Sequence, residues 1–204
     1  MITIRTRLAL CLFICLCVAG ASCQAKAPVI IRKSPSPSVS VSGPSPTQAS
    51  VSPPSGCPGI SGGQSGARMQ LTSVKTAAHG SFDRVTFAFE PSMSGSAGTP
   101  AFEVSQVQRP FTKDPSDQPM SVDGDRFFRI VFHGASGVDL SEGDPRRTYK
   151  GSEDIHTGLT RIVEVEEQGD FEATLSWIIG IRGPGCPTSI SLTGPVRVGL
   201  DFAS

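Results

Sequence analysis

The chain has 204 residues, of which 18 are basic, 18 are acidic and 38% are hydrophobic, a composition compatible with one folded domain of ordinary size. The zero net charge hides an asymmetry. Residues 57–204 carry 13 basic and 18 acidic side chains, a net charge of −5, whereas residues 1–56 contain no acidic residue. A net acidic domain without a basic cluster argues against nucleic acid and against an anionic membrane surface as partners.

The chain begins with the pattern of a secretory signal peptide, which we predict over residues 1–22. Arg5 and Arg7 precede 11 consecutive apolar residues at positions 8–18, and small residues follow. Because a membrane-spanning helix needs about 20 apolar residues, this stretch predicts export rather than a transmembrane anchor.

Cys23 is the predicted site of lipid attachment. The sequence Ala21-Ser22-Cys23 resembles the bacterial lipobox, in which the signal is cut before a diacylated cysteine. Two acyl chains give stable membrane anchoring. Gly20 stands where a Leu or Val is more usual, so ordinary cleavage after Ala21, which would release a secreted protein, is the alternative.

Residues 23–56 are predicted to be a disordered, lipid-anchored linker rich in Pro and Ser. Positions 24–56 contain 7 Pro and 9 Ser and offer too little apolar surface to offset the entropy of ordering. Since proline favours extended conformations, we interpret the segment as a tether that holds a folded domain away from the membrane. A linker whose length has no functional meaning is the alternative.

Two cysteines remain after the signal peptide and the lipid site, namely Cys57 and Cys186. An even pair in an exported domain predicts a disulfide, and two free thiols are the alternative. The bond would close a loop of about 130 residues and stabilise the domain by about 3–5 kcal/mol. It would also place the start of the folded domain, residues 57–204, at the end of the linker.

Alternating apolar and polar residues dominate the domain and predict an all-β fold, either an antiparallel β-sandwich or a small barrel. Turn-forming residues separate the runs, and 168–170 is the expected hairpin turn between two strong strands. The polar segment 136–158 is expected to be a long loop. The predicted strands span residues 69–76, 84–89, 101–108, 127–132, 159–165, 171–181, 190–192 and 196–202.

Three segments that overlap these predicted strands resemble the AMIN-like domain. They span residues 80–87, 171–181 and 195–202. The closing strand, with Pro195, Arg197 and Asp201 among alternating apolar residues, carries the likeness best, and the resemblance covers roughly residues 68–203. It implies a β-sandwich in an exported protein or lipoprotein of actinobacterial type. The related AMIN domain binds peptidoglycan, so the resemblance also implies envelope-polymer binding, and it transfers no catalytic residue or cofactor.

The residues that we predict to bind a ligand lie in the polar segment. Tyr149 is the aromatic residue best placed to stack on a sugar, while Trp177 lies on the apolar face of a strand and is expected in the core. Arg146, Arg147 and Lys150 are predicted to meet peptide carboxylates through charge-assisted hydrogen bonds. A mobile, solvated loop is the alternative.

Other motifs predict neither catalysis nor metal binding. The three histidines form no short-spaced pair, and Asp123-Gly124-Asp125 is expected to be a hairpin turn rather than a calcium loop. A cluster of glutamates is expected to form one solvated face rather than the carboxylate pair of a glycosidase. The cluster comprises Glu164, Glu166, Glu167 and Glu172.

We therefore predict a non-enzymatic module without a cofactor, held on the outer face of the cell membrane by its lipid alone, that binds a cell-wall polymer such as peptidoglycan. A scaffold that binds another envelope protein is the alternative, and a hydrolase is a remote one. Nucleic acid is not an expected partner.

Overall fold

The structure, a computed structural model, describes residues 56–93, 95–141 and 143–204, which form an antiparallel β-sandwich, as predicted. The predicted signal peptide, Cys23 and all of the predicted linker except Gly56 lie outside these residues. Within the described ranges, no helix is long and apolar enough to cross a membrane.

The described residues contain fifteen strands, most of which coincide with alternating runs of the sequence. In chain order they are β1 (Ile60–Gly62), β2 (Met69–Ala78), β3 (Phe82–Pro91), β4 (Ala101–Val107), β5 (Phe111–Thr112), β6 (Pro119–Met120), β7 (Arg126–His133), β8 (Ala135–Ser136), β9 (Val138–Asp139), β10 (Arg146–Arg147), β11 (Asp154–His156), β12 (Ile162–Phe171), β13 (Thr174–Ile181), β14 (Thr188–Thr193) and β15 (Val196–Ala203).

Two sheets form the layers of the sandwich. One has six strands in the order β1-β4-β7-β13-β12-β11, and the other has five in the order β14-β15-β3-β2-β8. All neighbours are antiparallel except β2 and β8. Aromatic rings of Phe87, Phe132 and Trp177 meet edge to face between the layers, which joins β3 to β7 and β13.

The six-stranded sheet is covered on both faces. A segment of residues 108–125, which we call the cover segment, lies over its outer face and buries a second apolar cluster that includes Phe111, Val122 and Ile178. This explains why β13 is buried along nearly its whole length although its sequence alternates. It also explains why Phe127 and Phe128, on opposite faces of β7, are both buried.

The hairpin turn between β12 and β13 was expected at residues 168–170 and lies instead at Glu172-Ala173, where Phe171 pairs with Thr174. Gly169 lies at an irregularity in the pairing of β12. A β-carbon at this position would lie 2.6 Å from the carbonyl oxygen of Asp114 in the cover segment. Glycine is therefore needed at position 169 for a close approach of two backbone segments and not for a turn. The predicted strand at 159–165 begins only at Ile162.

Residues from the runs at 80–87 and 195–202 link strands within one sheet and link the two sheets to each other. The buried Asp83 carboxylate of β3 accepts hydrogen bonds from the backbone N–H groups of Arg161 (2.6 Å) and Ile162 (3.2 Å), which links the two layers. Arg84 donates two hydrogen bonds to Asp201 across the β3–β15 pair, at 2.5 and 2.6 Å. Asp83, Arg84 and Asp201 thus have structural roles in the sandwich.

The predicted disulfide between Cys57 and Cys186 is present. It joins the chain just before β1 to the connection between β13 and β14. Arg126 lies against it and donates hydrogen bonds to Gly185 O (2.8 Å) and Gln106 Oε1 (3.0 Å).

Candidate ligand-binding groove

A groove of about 670 Å³ opens at one end of the sandwich, where the start of β2, the β7–β9 connection and the β12–β13 turn meet. Most of its lining is apolar. Leu140 and Phe171 flank it and are 67% and 52% exposed, although large apolar side chains are costly to leave in water. The described residues contain only two other such exposed side chains, Met93 and Leu192.

Backbone hydrogen bonds fix the floor of the groove. The N–H groups of Gly134 and Ala135 both donate to the carbonyl oxygen of Ala173, at 2.8 and 3.2 Å, and Met69 N–H donates to Gly134 O at 2.9 Å. The Asp170 carboxylate accepts hydrogen bonds from Gly137 N–H and from Ser136 Oγ. The groove is thus held by the sheets themselves.

The turn that carries Phe171 is strained. Glu172 and Ala173 have φ values of 49° and 57°, in the left-handed region that hairpin turns of this length usually fill with Asn-Gly or Gly-Gly. Such conformations cost about 1 kcal/mol or more per residue and often mark functional sites. Phe171 directly precedes this turn and lines the groove.

Replacing Ala173 by Gly should stabilise the protein by about 0.5–1 kcal/mol, because glycine adopts positive φ without steric cost. Urea unfolding measures the change. Ala101→Gly in β4 is the matched control, and it should destabilise by a similar amount since its backbone is ordinary strand. A loss of stability in Ala173→Gly would show that the turn is not strained.

A smaller hollow of about 200 Å³ adjoins the groove, and Gln70 and Asp139 line both. Arg146, Arg147 and Lys150, three of the predicted binding residues, also line it, and all three are exposed. The structure therefore places these basic side chains beside the apolar groove, on and just after β10.

The basic side chains differ in how far they are already neutralised. Arg146 pairs with Asp139 at 3.0 Å, and hydrogen bonds from Ser141, helped by Arg146, lower the pKa of that carboxyl. Arg147 pairs with Glu153, which raises the pKa of its guanidinium group. Among the residues that the structure describes, Lys150 has no ion-pair partner, so it is the most available for an anionic ligand.

The expectation that Tyr149 stacks on a ligand is wrong in this structure. Its side chain is only 2% exposed and packs edge-on against Trp177, with ring centroids 5.6 Å apart. The hydroxyl donates to Ser152 O at 2.6 Å, and burial raises the pKa of the phenol to about 12. The polar segment 136–158 is anchored to the core by this ring and contains β9 to β11, so it is not one long loop.

Glu167 is a titratable group close to the basic side chains. Burial raises its pKa to about 7, repulsion from Glu153 and Asp170 adds to the shift, and Arg147 and Lys113 oppose it. The native state therefore keeps a proton on Glu167 in a pH range in which the unfolded chain has lost it.

We predict that stability falls as the pH rises from about 4.5 to about 7, because the native state binds the extra proton only below its raised pKa. Allowing for partial solvent screening, the loss should be about 1–2 kcal/mol. Glu167→Gln should abolish this part of the pH dependence in urea unfolding, and Glu103→Gln at an exposed position of β4 should not. An unchanged pH profile in Glu167→Gln would contradict the prediction.

The groove residues Leu140 and Phe171 were not foreseen. Phe171 was predicted to begin the strand 171–181, whereas it is the last residue of β12, directly before the turn. Leu140 and Val138 are apolar residues within a polar segment, and both line the groove.

The family model of the AMIN-like domain matches residues 69–204, two thirds of the chain and nearly all of the sandwich. No curated protein and no solved structure gave a significant match. The matched region includes Asp83, Arg84 and Asp201, which link the strands, and both sides of the groove. The chain belongs to the AMIN-like domain family.

Proposed function

We propose that this protein is an exported, lipid-anchored, non-enzymatic module that binds peptidoglycan in the groove between Leu140 and Phe171. The observation that carries the proposal is an apolar groove with exposed rims beside exposed basic side chains, in a member of the AMIN-like family. The signal-peptide pattern supports delivery to the cell envelope.

Peptidoglycan offers chemistry that matches both parts of this surface. Its sugar rings and acetyl methyl groups present apolar faces, and an exposed phenylalanine ring such as that of Phe171 packs well on such a face. Its peptide stems carry carboxylates, for which Arg146, Arg147 and Lys150 provide charge-assisted donors. The volume of the groove is within the range of sites that hold one small ligand.

Sedimentation with insoluble cell-wall polymer at low salt tests the proposal. The full chain, purified in detergent, should sediment with purified peptidoglycan, and replacing Arg146, Arg147 and Lys150 together by Ala should weaken sedimentation without lowering the melting temperature, since all three are exposed. A wild-type chain that stays in the supernatant would count against polymer binding. Unchanged sedimentation of the triple variant would remove these residues from the site.

Lipid anchoring at Cys23 is a separate part of the proposal. Labelling cells with a radioactive fatty acid should mark the wild-type protein, and Cys23→Ser should be unlabelled and appear in the medium. A wild-type protein that takes up no label would contradict the anchor.

One observation favours a protein-binding scaffold as a second candidate function. Among the described strands, β14 is a six-residue sheet edge without a charged residue or a proline, and its outer side pairs with no other strand. Such an edge is open to addition of an extended strand from another protein. Cross-linking in intact cells that recovers one protein partner, lost in Ser191→Pro, would support this function.

A further inference from the structure

Three side chains from separate parts of the chain converge beside the outer edge of the six-stranded sheet. Asp123 comes from the cover segment, His156 from the edge strand β11 and Glu164 from β12, and their ligand atoms all lie within 4.8 Å of one another. His156 and Glu164 are directly opposite in the β11–β12 pairing. This group lies outside the groove and has no part in the proposed function.

The position of Asp123 depends on a glycine. Gly180 of β13 lies opposite Glu164 in the sheet, and a β-carbon at that position would lie 1.9 Å from the carbonyl oxygen of Asp123. Because Gly180 has no side chain, the cover segment rests on the sheet, and Asp123 N–H donates to Glu164 Oε2 at 2.6 Å. The arrangement is therefore set by the backbone rather than by mobile surface side chains.

Glu164 is a buried carboxylate that faces the imidazole of His156. It is only 2% exposed, and in the described part of the chain no Lys or Arg forms an ion pair with it. Its neighbour Glu166, also buried, has Lys113 at 2.8 Å, and Asp83 has two backbone donors. The expectation of one solvated face is therefore wrong for Glu164 and Glu166, which are buried, whereas Glu172 is exposed.

The donor atoms indicate which class of cation would fit this group. Imidazole and carboxylate together form a donor set that suits zinc and related first-row metals, whereas calcium and magnesium prefer oxygen alone.

The distance between His156 and Glu164 fits two ligands of one small cation. His156 Nδ1 lies 3.7 Å from Glu164 Oε2, close to the roughly 3.3–3.6 Å between two ligands of a tetrahedral zinc ion. The other ring nitrogen, Nε2, lies 3.5 Å from Asp154 Oδ2. A carboxylate on the far nitrogen is the usual device that orients a metal-binding histidine. Asp123 and His156 are exposed, which leaves space for water as a further ligand.

We propose that Asp123, His156 and Glu164 bind one divalent transition-metal cation of the zinc class, with Asp154 orienting the imidazole ring. The cation ties the cover segment and the three-residue edge strand β11 to β12.

Calorimetric titration of the metal-stripped full chain in detergent with ZnCl₂ tests the site. We expect saturable binding of one Zn²⁺ per chain and a higher melting temperature with zinc than with EDTA. His156→Ala and Asp123→Asn, at exposed positions, should each weaken binding at least about 10-fold. Glu164→Gln should weaken it further, and Ca²⁺ should bind at least about 10-fold more weakly than Zn²⁺.

His79→Ala and His133→Ala are the matched controls, since both histidines are exposed, and neither should change zinc affinity. His133 pairs with Thr174, at the other end of β13 from Gly180. Absence of saturable binding at about 1 mM Zn²⁺ would overturn the proposal. Equal affinities of wild type and His156→Ala would overturn it as adventitious surface binding. A preference for Ca²⁺ would overturn the assigned metal class.

Discussion

Replacing both Cys57 and Cys186 by serine should lower the free energy of unfolding by about 3–5 kcal/mol. The bond links residues 129 positions apart, so it closes most of the described chain into one loop and removes a large part of the entropy of the unfolded state. For a domain of this size the melting temperature should fall by about 10 °C. Thermal unfolding followed by circular dichroism measures the effect.

The reduced wild-type protein is the matched control, because reduction breaks the same bond without changing the packed side chains. It should unfold at a temperature close to that of the double variant. The short strand β1, which pairs with β4 through three residues only, should lose hydrogen-exchange protection first. A double variant that melts at the wild-type temperature would show that the sandwich closes without the bond.

Replacing Asp83 by Ala should destabilise the protein by about 2–4 kcal/mol. The change leaves two backbone N–H groups, those of Arg161 and Ile162, without an acceptor at a buried point between the sheets. Each unsatisfied buried donor costs about 1–3 kcal/mol, and hydrogen bonds to a charged acceptor are stronger than neutral ones. The start of β12 should therefore detach from β3.

Asp83→Asn separates the hydrogen bonds from the charge. Both N–H groups donate to one oxygen of Asp83, so the single amide oxygen of Asn can accept both bonds. Because bonds to a neutral acceptor are weaker, Asn should recover about half of the loss caused by Ala, as measured by urea unfolding. Glu103→Ala, which removes an exposed carboxylate from β4, should change stability by less than about 0.5 kcal/mol. Equal stability of wild type and Asp83→Ala would contradict a linking role for this side chain.

The sequence was sufficient to predict the sheets because alternation is a local property. The runs at residues 84–89, 127–132 and 196–202 each lie inside an observed strand, β3, β7 and β15. Cys57 and Cys186 were paired by elimination, and the bond is present. Trp177 was expected in the core and is fully buried there.

Two of the errors arise from contacts between segments distant in sequence. Gly169 was taken as a turn residue, but it is a glycine because the backbone of Asp114 approaches it. Tyr149 was expected on the surface of a polar segment, but its ring packs on Trp177. Neither contact leaves a periodic trace near the residue itself, so local patterns were not enough to find it.

For the candidate sites too, the residue types are visible in the sequence but their relative positions depend on the fold. The basic character of Arg146, Arg147 and Lys150 is visible in the sequence, whereas their position beside Leu140 and Phe171 depends on how three connections meet. The convergence of Asp123 with Glu164 likewise depends on the cover segment, which places a turn residue on a strand 41 positions away.

The affinity of the groove for peptidoglycan is the most direct test of the proposed function. The full chain in detergent should be compared with a variant carrying Leu140→Ser and Phe171→Ser in sedimentation with purified peptidoglycan. Leu192→Ser is the matched control, because Leu192 is also an exposed leucine but lies on β14.

We expect the double variant to bind at least about 10-fold more weakly, since exposed apolar side chains beside a groove contribute most of such binding energy. Its melting temperature should be unchanged, and Leu192→Ser should bind like the wild type. Wild-type affinity in the double variant would contradict the assignment of the groove as the binding site.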